Sequence, residues 1–223
     1  MLGAAFLIVA VAVIATGHYL RVHSPGRISA EGPARETVPV HSLIDRLPRG
    51  VFVQPTFTWG HVRPSGDVEL GVHPMLLALA GPDAEVLAPE PGSKVSENEE
   101  LLTIRAGDRS MAVRSPIAGR VAATQAQSSG ATDWDDLATR RGQWSVVMVP
   151  ESISEALPSW MIGRSAIDWT RGRYRAMRDY FVSNGPGHEI GLAMADGGDI
   201  PGAALDACDQ AAWDDFAERF LAG

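Results

Sequence analysis

The sequence predicts a mainly β protein, a sandwich or flattened barrel, with one N-terminal transmembrane helix and a C-terminal α-helical extension. Three observations carry this. Met1 to Gly17 is an apolar run without a charged side chain. From Val51 to Pro150 short apolar runs alternate with Gly, Pro and Asp and show no useful helical period. Beyond Pro150 the spacing of apolar residues changes to three and four, the period of a helix.

Composition narrows the function. The 223 residues are 45% hydrophobic, enough for one ordinary core with appendages. A net charge of −8 argues against nucleic acid as the main partner. The single cysteine, Cys208, excludes an internal disulfide framework and supplies no metal cluster. No cofactor site is expected from the residues alone.

The apolar run is about as long as a bilayer core requires of a helix. Tyr19 suits the headgroup level, and Arg21, His23 and Arg27 form a basic flank on one side only. The expectation is a single-pass anchor over 1–21 in the inner (cytoplasmic) membrane, N-terminus outside and main domain cytoplasmic. A cleaved signal peptide fits less well, because no basic residue precedes the run. Ala12 and Thr16 form a small-xxx-small pair within the helical stretch 2–20. Residues 22–50, rich in Pro and Gly, read as an extended linker with at most one helical turn near Ser42 to Leu47.

The β domain, 51–150, offers eight strands: Val51 to Gln54, Trp59 to Arg63, Val68 to Val72, Ala84 to Ala88, Glu100 to Arg105, Met111 to Arg114, Gly119 to Ala123 and Trp144 to Val149. Leu76 to Leu79 suits one short helical turn. An internal echo is visible. Val86, Ala88, Pro89 and Gly92 match Val113, Ser115, Pro116 and Gly119 at a constant offset of 27. Each copy is a strand that turns at Pro, takes a tight conformation at Gly and resumes. Two such units suggest two sheets related by a pseudo-dyad.

Several segments together resemble a known family. They are Thr58-Trp59 with Val62, Val68-Glu69-Leu70-Gly71-Val72, Pro89-Glu90-Pro91-Gly92-Ser93-Lys94-Val95, Ser115-Pro116-Ile117-Ala118-Gly119-Arg120-Val121 and Gly142-Gln143-Trp144. In that order and spacing they resemble the H protein of the glycine cleavage system, of the lipoyl/biotinyl-carrier superfamily. The resemblance covers a little under half the chain and implies a lipoyl-domain-like flattened barrel. It also implies a carrier lysine eight residues before the Ser-Pro proline. That position is Asp108, whose carboxylate cannot form the amide that tethers lipoate. Gly107-Asp108-Arg109 therefore reads as a degenerate carrier turn, kept for structure or as a docking tip. Lys94, the one lysine in the chain, reads as a solvated loop residue, and lipoylation or biotinylation there is the alternative.

Other constellations are poorer in chemistry. Glu97, Glu99 and Glu100 lack the pattern of a calcium loop and read as a solvated rim. His61 and His73 flank the Val68 to Val72 strand without further ligands, and surface or rim positions are expected for both. Asp133, Asp135 and Asp136 suit a helix start.

In the extension, 151–223, a helix is expected from Ser165 to Ser183, with Ile167, Thr170, Tyr174, Met177 and Phe181 on one stripe. Arg171, Arg173, Arg175 and Arg178 fall largely on its other faces. A strand is expected from Glu189 to Ala195, a turn at Asp196-Gly197-Gly198-Asp199, and a second helix over about Ala207 to Leu221. That helix buries Cys208 or Ala212, Trp213, Phe216, Phe220 and Leu221. Trp160, Trp169, Trp213 and their aromatic neighbours exceed what two helices bury against each other, so they cover the β domain, a partner, or both.

These features lead to a non-catalytic, membrane-anchored accessory or scaffold subunit of a multi-subunit complex. Its contacts are expected through the helix 2–20, the lipid bilayer and the aromatic C-terminal helices. Energy-converting assemblies, photosynthetic or respiratory, are a natural setting. The layout is similar to that of the H subunit of photosynthetic reaction centres, with one helix and a β-rich body. The alternatives are a carrier modified at Lys94 and an adaptor that recruits a lipoate-dependent enzyme.

Overall fold

A computed structural model of the chain describes residues 39–125, 127–128, 134, 145–184 and 198–222. The anchor expected at 1–21, Gly142-Gln143-Trp144 and the strand expected at Glu189 to Ala195 lie outside them. Among the described residues no helix is long and apolar enough to cross a membrane.

The protein is mainly β. Its strands are β1 (Phe52–Val53), β2 (Thr58–Val62), β3 (Val68–Val72), β4 (Glu85–Leu87), β5 (Lys94–Val95), β6 (Glu100–Ala106), β7 (Arg109–Arg114), β8 (Gly119–Thr124), β9 (Gln127–Ser128), β10 (Val146–Pro150) and β11 (Met161–Ile162). One sheet runs β11-β1-β2-β3-β10-β8-β5 and the other β7-β6-β4-β9. All pairings are antiparallel. Alternation sets the buried faces: in β6, Leu102, Ile104 and Ala106 point inward, and in β7, Met111 and Val113.

The echo has a clear structural meaning. In the first copy, β4 of the four-stranded sheet passes through the Pro89 corner into β5 of the seven-stranded sheet. In the second, β7 passes through the Pro116 corner into β8 in the same sense. The strands that enter, β4 and β7, flank β6 on either side, and the strands that leave, β5 and β8, pair with each other. Each copy is a device for moving the chain from one sheet to the other.

The two corner glycines work differently. Gly92 has φ 94 and open space around it, so its role is backbone conformation. Gly119 has no positive φ, and a Cβ there would lie 2.5 Å from the Val149 carbonyl oxygen. Its role is the close approach of β10. The expectation of one shared conformational role for both is corrected by that contact.

Helix α1 (Pro74–Ala80) is nearly all buried, with Met75, Leu76, Leu77 and Leu79 fully enclosed. Pro74 stands at its first turn, where a missing N–H costs nothing. The loop before the last helix completes its C-terminus. Ala203 N–H donates to Ala78 O at 2.7 Å and Leu205 N–H to Leu79 O at 2.9 Å. A short helix, α2 (Ile153–Ala156), precedes β11, and two longer ones follow, α3 (Arg164–Asn184) and α4 (Gln210–Leu221). The Asp209 carboxylate caps α4 by accepting the Ala212 N–H.

One apolar cluster joins both sheets to α1, α3 and α4. A second gathers Leu43, Val51, Val53, Trp59, Trp134 and Ala166. Residues on both sides of Pro150 share one sheet, because β11 pairs with β1. The linker's expected helical turn is a 3-10 turn at Val40–Leu43, and Val40, Leu43 and Ile44 are buried, so this end of it is packed rather than extended. The unforeseen strands β5, β9 and β11 are two residues each, too short to show alternation in a sequence.

Candidate functional site

The turn that the sequence singles out joins β6 to β7 through two residues, Gly107 and Asp108. Gly107 takes φ 63, which a two-residue hairpin of this kind requires at its first position. Asp108 is exposed. Arg109, the next residue, is only 17% exposed and is the most heavily engaged side chain of the hairpin.

Arg109 reaches across to the segment before α4. Its Nη1 donates to the carbonyl oxygens of Leu205 (3.3 Å), Cys208 (2.8 Å) and Asp206, and its Nη2 to Asp206 Oδ1 at 2.9 Å. Its Nε donates to Ala106 O at 3.3 Å, across the turn itself. The guanidinium also lies 5.6 Å from the centre of the Trp213 ring, whose Nε1 donates to Leu205 O at 2.8 Å. One planar cation thus gathers the carbonyls of a tight loop, a task suited to arginine's fixed fork of donors. Next to it, Gln210 bonds both main-chain groups of Ser110.

The hairpin is therefore tied to the C-terminal extension on its outer edge. A swinging carrier needs a turn that is free on all sides and a lysine at its tip. This turn has a carboxylate at the tip and a neighbour bound to three residues of another segment.

Lys94 lies on a different sheet from the turn. It is exposed in β5, paired in register with Arg120, so it is a strand residue and not the loop residue expected. Cys208 is buried, its Sγ donating to Ala204 O at 3.2 Å. Burial pushes its thiol up to about 11, outweighing the opposite pull of Arg109, and this disfavours the thiolate at neutral pH.

The histidines part company. His61 is half-buried, with Nδ1 3.3 Å from Glu69 Oε2. His73 is 0% exposed, so the rim position expected for it is corrected. It is the N-cap of α1: its Nδ1 accepts the Met75 N–H at 3.1 Å, which puts the ring proton on Nε2. Nε2 has no hydrogen-bond partner among the described residues. The ring meets Trp134 edge to face at 5.0 Å. Burial holds the imidazole well below its ordinary range, at about 3, and therefore neutral. The sequence signal for this was His immediately before a Pro-initiated apolar helix.

Among the described residues no three His, Cys, Asp or Glu side chains are placed to hold a metal. Two residues of the acidic run bond locally: Glu99 accepts the Ser96 N–H in the turn at 2.8 Å, and Glu100 the Thr103 hydroxyl on β6 at 2.5 Å. A crevice of about 250 Å³ lies between β7 and α4, lined by Ala112, Arg114, Ala217, Glu218, Leu221 and Ala222. It is below the usual size of a small-molecule site and lacks convergent polar groups. The aromatic surplus of the extension is turned inward. Trp160, Tyr174, Tyr180, Phe181, Trp213, Phe216 and Phe220 are all buried, covering the β sheets and one another.

No known family model matches the chain, and no curated protein does. Among solved structures it is similar to a glycine cleavage system H protein from Mycobacterium marinum, at 20% identity and a TM-score of 0.41. The match covers 56% of this chain and 99% of that one.

Proposed function

We propose that this protein is a non-catalytic scaffold subunit of a membrane complex, built on a carrier-like β domain that has lost its carrier residue. The observation that carries this reading is the turn itself. Asp108 stands at the tip, and Arg109 fastens the hairpin to the 205–208 segment. The free, lysine-bearing tip that carrier chemistry needs has been traded for a fixed one.

Attachment is the remaining role for such a body. The apolar run Met1 to Gly17 supplies a membrane anchor, with the main domain on the cytoplasmic side. Its partners are other subunits of an energy-converting assembly, reached through 2–20 within the bilayer and through the polar surface of the body outside it. The inward-turned aromatic residues serve the body's own stability.

Gentle detergent solubilisation of native membranes, followed by purification of the full chain and identification of what accompanies it, tests the reading. Co-purification with integral membrane subunits in fixed proportion is expected. A monomer without stable membrane partners would overturn it.

A further inference from the structure

We draw no further inference here: the strongest candidate, the apolar crevice between β7 and α4 where Ala112 and Arg114 face Ala217 and Leu221, carries nothing because nothing in the structure shows what covers it.

Discussion

Gln210 Oε1 accepts the Ser110 N–H at 2.9 Å, and Gln210 Nε2 donates to the Ser110 carbonyl at 2.9 Å. Ser110 lies in β7, the edge of the four-stranded sheet, so one amide side chain pairs an open edge as another strand would. Because an amide sets an N–H donor beside an acceptor at the spacing of the main chain, no carboxylate replaces it. Gln210→Ala is expected to cost about 1–3 kcal/mol. Gln210→Glu should cost at least as much, since an acceptor would then face the Ser110 carbonyl and the Asp214 carboxylate, now 2.6 Å away. Urea denaturation midpoints check the order.

Arg109 makes a sharper prediction. Arg109→Ala leaves carbonyls of the 205–208 loop without their common donor and should destabilise the protein by about 2–3 kcal/mol. Arg109→Lys should recover only part of this, because an ammonium cannot span the same fork. Asp206→Ala should cost less than about 1 kcal/mol, as that carboxylate is 53% exposed. Equal losses for R109A and D206A would show that the ion pair, not the carbonyl cage, holds the hairpin.

The two corner glycines should respond unequally to alanine. Gly119→Ala drives a Cβ into the Val149 carbonyl, a backbone atom that cannot step aside, and about 2–3 kcal/mol is expected. Gly92→Ala meets no neighbour and costs only the left-handed conformation, about 1 kcal/mol. Thermal melts of both variants decide this.

His73 gives the fold a pH dependence. Its folded value, about 3, lies below the ordinary 6.5, so below pH 6.5 the unfolded chain binds the extra proton. The stabilisation is whole above 6.5 and declines as pH falls toward 3, at up to about 1.4 kcal/mol per unit. His73→Asn keeps a capping acceptor for α1 without a titrating ring. It should remove this part of the slope in denaturation curves between about pH 6 and about pH 4.

Lys94 is exposed on β5, away from the hairpin sheet, and the scaffold reading requires it to stay bare. Intact mass of the protein from its native membranes should equal that of the unmodified chain. A lipoyl or biotinyl adduct that disappears in Lys94→Arg would restore a carrier function.

Much of this was legible in the sequence because it depends on near neighbours. Strand β3 was visible in full from Val68 to Val72, and β6, β7 and β8 to within two residues, because alternation and turn residues are local. The echo announced two matching corners, and the turn residues Gly107 and Asp108 announced the hairpin between β6 and β7. Local pattern also exposed the stripe that α3 buries.

Contacts between distant segments were not legible. His73 is an ordinary flanking residue until α1, Trp134 and Trp169 close over it and desolvation strips its charge. Gly119 differs from Gly92 only because β10 passes beside it. Arg109 and Asp206 are 97 residues apart, and nothing in either neighbourhood foretells their pairing. The sequence by itself determined most of the longer strands, the two long helices after Pro150 and the aspartate at the hairpin tip, since those follow from periodicity and residue chemistry. Only the tertiary structure decided that the turn is fastened rather than free, because a charge-assisted hydrogen bond exists only once folding has brought its two ends within 3 Å (about) of each other.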